Sequence, residues 1–88
     1  MNAKPCRLEL NNSGAWKLLG KFDAGREDTT DAIMNASAEL AQALNDPASG
    51  RTAHTSLRIS TDDPLPITLM RWEPKRPIWV DAETREPA

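Results

Sequence analysis

The stretch from Glu27 to Asn45, EDTTDAIMNASAELAQALN, constrains this chain most, because it carries a clear helical period. Apolar and small residues recur there at three- and four-residue steps, so they share one face of a helix. Alanine recurs throughout and favours the helix, since it loses no side-chain entropy. Asp28 is suited to cap the first turn, and Pro47 cannot continue a helix. The pattern predicts one helix over about residues 28–45. The face expected against the core consists of Ile33, Ala36, Ser37, Leu40, Ala41 and Leu44.

Alternating or apolar segments lie on both sides of this helix and are typical of strands. They cover residues 6–10, 15–22, 54–60, 67–72 and 78–80, and a turn at Asn11–Gly14 joins the first two. The sequence therefore predicts an α+β fold in ββαββ(β) order, an antiparallel sheet of four or five strands with the helix packed on one face. We expect a single domain over residues 6–80, a flexible N-terminus at 1–5 and a disordered tail at 81–88.

Composition and charge indicate the expected cellular location of the protein, the state of its cysteine and the charge of its two layers. No apolar run approaches the roughly 20 residues that span a bilayer, and the N-terminus lacks the apolar core of a signal peptide. We therefore expect a cytoplasmic protein without a membrane segment. Cys6 is the only cysteine, so no intrachain disulfide can form, and we expect it to be a buried small apolar residue. Every charged residue from Glu27 to Gly50 is acidic, whereas the strand segments are rich in Lys and Arg. This pattern predicts an acidic helix layer over a basic sheet layer.

Candidate catalytic residues are sparse. His54 is the only histidine, and Ser56 and Asp62 lie near it in sequence. Triads are recognised by geometry rather than by closeness in sequence, and no nucleophile elbow surrounds these residues. We therefore expect His54 to be a surface residue, and an enzyme using it is the least favoured class. No metal or cofactor site is predicted.

The strand pattern leaves a second apolar set on the sheet face opposite the helix, the helix-free face. The residues expected on the helix side are Leu8, Leu10, Trp16, Leu18, Phe22, Leu57, Ile59, Ile67 and Leu69. The opposite parity points Leu19, Met70 and Trp72, together with Trp79, towards the helix-free face, among basic side chains. We expect Trp72 to anchor an interface there. Around it would lie Met70, Leu19 and Trp79, with Arg71 and Arg58 at the rim.

Three interpretations of this face compete. It can be a protein–protein interface, most simply of a homodimer, because Trp, Met and Arg are enriched in interface cores. It can bind single-stranded nucleic acid by base stacking and phosphate contacts, although the pI near 5.3 and the acidic helix argue against that. In the third interpretation, a bulge at Gly20 or Pro66 reverses the faces and places Trp72 and Trp79 inside. The sequence favours the first: a small, non-catalytic interaction or accessory protein that self-associates or binds a protein partner.

Overall fold

The computed structural model describes residues 3–12, 14–45, 55–84 and 87. Its elements are β1 (Pro5–Asn11), β2 (Trp16–Asp23), α1 (Glu27–Leu44), β3 (Ser56–Thr61), β4 (Thr68–Glu73) and β5 (Arg76–Asp81). The strands form one five-stranded sheet in the order β2-β1-β3-β4-β5, and every neighbouring pair is antiparallel. This confirms the predicted α+β class and the antiparallel sheet, and three strands follow the helix.

The ends of the chain are only partly described. Pro5 already belongs to β1, Asp81 ends β5, and Pro87 forms an isolated bridge with Val80. Residues 1, 2, 85, 86 and 88 of the expected flexible ends lie outside the described residues. Within the described part of the chain, no helix has the length and apolar character that crossing a bilayer requires.

Side-chain hydrogen bonds of Asp23 and Asn45 order the two ends of α1. Arg26 occupies the N-cap position without a side-chain cap, so the prediction that Asp28 caps the first turn is wrong. Asp23 instead orders the entry, because its Oδ1 accepts from the backbone N–H groups of Lys4 and Gly25, each at 2.8 Å. At the other end, Asn45 Nδ2 donates to the Thr55 carbonyl at 3.1 Å and Asn45 Oδ1 accepts from the Thr55 N–H at 2.9 Å. This pair of bonds ties the end of the helix to the start of β3.

The rotation of α1 on the sheet differs from the prediction. Ser37 and Ala41 are buried as expected, but Leu40 and Leu44 are 48% and 40% exposed. Met34 packs against the core, as do Ile33 and Ala38. The cause is Trp79, whose indole Nε1 donates to the Met34 carbonyl at 3.0 Å and draws that flank of the helix towards β5. Leu40 lies about 120° around the helix from Met34, on the other flank, and Leu44 lies in the last turn of α1.

The core lies between α1 and the sheet and contains both C-terminal tryptophans. Trp72 pairs with Leu57 on β3 and with Trp79 on β5, and Met70 pairs with Ile59. Trp72 is 1% exposed and Trp79 is 9% exposed. The prediction that Trp72, Met70 and Trp79 point away from the helix is therefore wrong, and the reversed orientation is correct.

Two register shifts explain this reversal. On β2, Gly20 pairs with Leu8 but Leu18 pairs with Glu9, so Leu19 is an extra residue. On β4, Met70 pairs with Ile59 but Thr68 pairs with Ser60, so Leu69 is an extra residue. An extra residue exchanges the two faces of a strand beyond it. Trp16 and Leu18 consequently lie on the helix-free face, and Ile67 and Leu69, which were expected inside, are exposed.

Candidate interaction surface on the helix-free sheet face

One row of cross-strand neighbours crosses the middle of the helix-free face. We call it the central row, and it comprises Leu18, Glu9, Arg58, Arg71 and Val80, one residue from each strand in the order β2 to β5. Leu18 is 51% exposed, and Arg71 is exposed as well. The row places two adjacent arginines between apolar side chains at both edges of the sheet. Such a mixture is typical of protein interfaces.

Arg58 is held in place by two neighbours. Its guanidinium carbon lies 4.2 Å from the centroid of the Trp16 ring, a cation–π contact. Its Nε donates to Glu9 Oε1 at 3.0 Å. Glu9 is only 8% exposed, so its carboxylate depends on this cation for compensation. The Trp16, Arg58 and Glu9 side chains therefore form a pre-organised cluster on this face.

A second ionic cluster occupies the corner of the face near the end of β3. Arg7 Nη2 donates to Asp62 Oδ1 at 2.7 Å, and Lys21 Nζ lies 3.4 Å from Asp62 Oδ2. The hydrogen bond from Arg7, with the added contribution of Lys21, holds the pKa of Asp62 below its usual range. The Asp62 backbone N–H also donates to the Pro5 carbonyl at 3.0 Å. Arg7 and Lys21 are thus matched by a fixed carboxylate.

Arg71 differs from the other basic residues of this face. It lies directly opposite Arg58, so two like charges are neighbours across β3 and β4. Among the residues that the structure describes, no carboxylate lies within ion-pair distance of Arg71. Arg71 lines a shallow depression of about 400 Å³ together with Glu73 of β4 and with Arg76, Ile78, Val80 and Asp81 of β5. This part of the face offers cations, carboxylates and apolar surface to a binding partner.

The structure brings together only part of the predicted interface. Arg58 and Arg71 lie on the helix-free face as expected, and Leu19 is the 47% exposed extra residue of β2. Met70, Trp72 and Trp79 lie in the core instead.

Sequence reasoning missed Trp16, Leu18 and Val80 as residues of this face. The adjacent Leu18 and Leu19 before Gly20 were the available signal, because two consecutive leucines cannot both point to one side of a regular strand.

Among the residues considered for chemistry, Asp62 belongs to the second ionic cluster, where Arg7 and Lys21 bind its carboxylate. Cys6 is buried in the core, as predicted, and burial raises the pKa of its thiol. Ser56 begins β3. His54 lies outside the described residues, so the expectation that it is a surface residue stays a prediction. Within the described ranges, no three His, Cys, Asp or Glu side chains converge as a metal site.

Comparisons with protein-family models, with curated proteins and with solved structures found no match for this chain.

Proposed function

We propose that this protein is a small, non-catalytic association module that binds a second copy of itself through the helix-free face. The observation that carries the proposal is the Trp16–Arg58–Glu9 cluster beside the unmatched Arg71. Tryptophan and arginine are the residues that most often dominate binding energy at interfaces. Leu18 and Val80 flank them with apolar surface at the two edges of the sheet.

Pre-organisation supports this proposal. Immobilising a long side chain at an interface costs roughly 0.5–1.5 kcal/mol, and that cost is smaller when the side chain is already held. Arg58 is held by Glu9 on one side and by the Trp16 ring on the other. The cluster can therefore enter a contact with little further loss of entropy.

Charge and ring access favour a protein partner over single-stranded nucleic acid. Arg58 already covers one side of the Trp16 ring, which reduces the surface available for base stacking. Asp62 and Glu9 also place carboxylates beside three of the basic residues, and they would repel phosphates. The pI near 5.3 is unlike the basic footprint of nucleic-acid-binding domains.

Sedimentation velocity over a micromolar to millimolar concentration series tests the proposal. The weight-average mass of the wild type should rise with concentration. Trp16→Ala and Arg71→Ala should each weaken association by about 2 kcal/mol, roughly thirty-fold in Kd. Lys75→Ala, in the exposed turn between β4 and β5, is the matched control and should associate like the wild type. A strictly monomeric wild type, or variants that associate unchanged, would refute the proposal.

A labelled single strand titrated at low salt tests the alternative. Binding that weakens with salt and is lost in Arg71→Ala would assign the face to nucleic acid instead.

A further inference from the structure

We infer that the surface bound by the helix-free face is the outer face of α1 from a second copy, so that copies associate head to tail. This inference rests on the proposed function, because it requires that the helix-free face be the association surface. It adds the identity of the opposing surface, and with it the symmetry of the assembly.

The helix-free sheet face is basic along one diagonal. Its basic side chains follow a diagonal across the strands, from Arg7 on β1 through Arg58 on β3 and Arg71 on β4 to Arg76 on β5. Glu9 and Asp62 compensate the first two of these cations. Arg71 lacks such a carboxylate within the described part of the chain. The diagonal therefore keeps an unmatched positive charge near its centre.

The outer face of α1, the side that points away from the sheet, is acidic. The helix carries four exposed carboxylates, on Glu27, Asp28, Asp31 and Glu39, and no Lys or Arg, although the N-cap residue Arg26 lies 4.0 Å from Asp28. At 100° per residue, Asp28 and Glu39 lie on the side opposite the buried Ser37 and Ala41. The small side chains of Ala32, Ala36 and Ala43 lie beside them on the same side of the helix and are exposed, so a flat surface can approach closely. The outer face of α1 is therefore acidic and smooth.

The dimensions of the two surfaces also agree. The 18 residues of α1 give a helix about 27 Å long at 1.5 Å per residue. Five strands about 4.8 Å apart, each about six residues long, give a sheet face roughly 20 Å on each side. The basic diagonal from Arg7 to Arg76 crosses three strand spacings and about four residues along the strands, so it is roughly 20 Å long by the same spacings. Asp28 and Glu39 lie roughly 16 Å apart along the helix axis, so the acidic part of α1 is similar in length to the basic diagonal.

A symmetric pairing of two sheet faces fits the charges less well. A two-fold axis near the central row would bring Arg58 and Arg71 of one copy close to the same arginines of the other. Glu9, the carboxylate of the central row, is already bound to Arg58. Like charges facing each other across an interface cost several kcal/mol. A contact between different surfaces avoids this cost, and it leaves one free binding surface at each end of the assembly.

The experiment uses two variants that each disable one surface. Arg71→Glu alters the sheet face and leaves α1 intact, whereas Glu39→Lys alters α1 and leaves the sheet face intact. Both residues are exposed, and circular dichroism checks that both variants fold. Each variant alone should self-associate at least about tenfold more weakly than the wild type. An equimolar mixture should associate more strongly than either variant alone, because it again contains one intact sheet face and one intact helix face.

Two controls carry the same charge reversals elsewhere. Lys75→Glu lies in the turn between β4 and β5, and Asp63→Lys lies in the loop between β3 and β4. Both should associate like the wild type. Asp28→Lys is a second variant of the helix surface and should behave as Glu39→Lys does.

The outcomes separate this inference from the proposed function. Loss of association in Arg71→Glu with none in either helix variant would overturn the head-to-tail arrangement and keep the sheet face as the association surface. Weakened variants whose mixture stays monomeric would overturn it as well. Unchanged association in Arg71→Glu would overturn the proposed function itself.

Discussion

Replacing Trp72 with alanine should remove a large part of the stability of this fold. The side chain is 1% exposed and packs in the cluster that also contains Leu57 and Trp79. Burying roughly 150–250 Å² at about 25 cal/mol per Å² corresponds to about 4–6 kcal/mol. Comparable truncations of buried aromatic residues cost about 3–5 kcal/mol. A domain of 88 residues has a total stability of about 4–13 kcal/mol, so Trp72→Ala should unfold at much lower urea concentration.

Trp16→Ala is the matched control, because it deletes the same side chain from the other face of the sheet. Trp16 is only half-buried, and its specific contact is the cation–π interaction with Arg58. That interaction contributes about 0.5–1 kcal/mol at a site of this exposure. Urea unfolding followed by far-ultraviolet circular dichroism compares the two variants. Equal losses of unfolding free energy, or a larger loss for Trp16→Ala, would refute the assignment of the two faces.

Three further predictions concern polar and titratable groups. Arg7 holds the pKa of the Asp62 carboxyl below its unfolded value of about 3.9. Their contact therefore stabilises the fold above that pH, and the stabilisation is lost as pH falls through the pKa of the folded state. The urea midpoint should therefore fall less steeply below pH 5 in Asp62→Asn than in the wild type, and an identical pH dependence would contradict this. Glu9→Gln should cost about 1–2 kcal/mol and alter the emission of Trp16, because Arg58 loses its anchor; unchanged emission would contradict the cluster. The buried Cys6 thiol, whose pKa is raised by burial, should react with a disulfide reagent only as fast as the protein opens; immediate reaction of the folded protein would contradict its burial.

The helix was predictable because its signal is local. The three- and four-residue period between Ile33 and Leu44 predicted residues 28–45, and α1 covers Glu27–Leu44. Its rotation was not predictable, because Ala41 and Leu44 belong to the same periodic stripe. The bond from Trp79 to the Met34 carbonyl selects one flank, and the residue that makes it lies 45 positions away in sequence.

Two single residues caused the errors in the predicted strand faces. Leu19 and Leu69 are the extra residues of β2 and β4, and each reverses the pattern of its strand. An extra residue depends on how a strand pairs with its neighbour, and the pairing is not visible in the strand's own sequence. Arg58 of the central row was correctly placed because the residues of β3 alternate without an extra residue. The tryptophans lie on the faces opposite to those predicted. Trp16 lies on the helix-free face, where Trp72 was expected, and Trp72 lies in the core.

This exchange changes what the helix-free face can do. An exposed Trp72 would have made a broad apolar patch, whereas the actual face carries one half-buried indole under Arg58 and apolar residues at its edges. Its specificity would therefore come from charge as much as from buried area. Association through this face should weaken as ionic strength rises, because the contacts around Arg71 are solvent-exposed and screened by salt.

The most direct test of the association surface is a nuclear magnetic resonance concentration series that follows the three tryptophan indole N–H signals. Trp16 lies on the proposed surface, whereas Trp72 and Trp79 lie in the core. The indole signal of Trp16 should shift or broaden with rising concentration while the other two stay unchanged, and the shift should disappear in Arg71→Glu. A Trp16 signal that stays fixed up to millimolar concentration would contradict the central claim that this protein associates through its helix-free face.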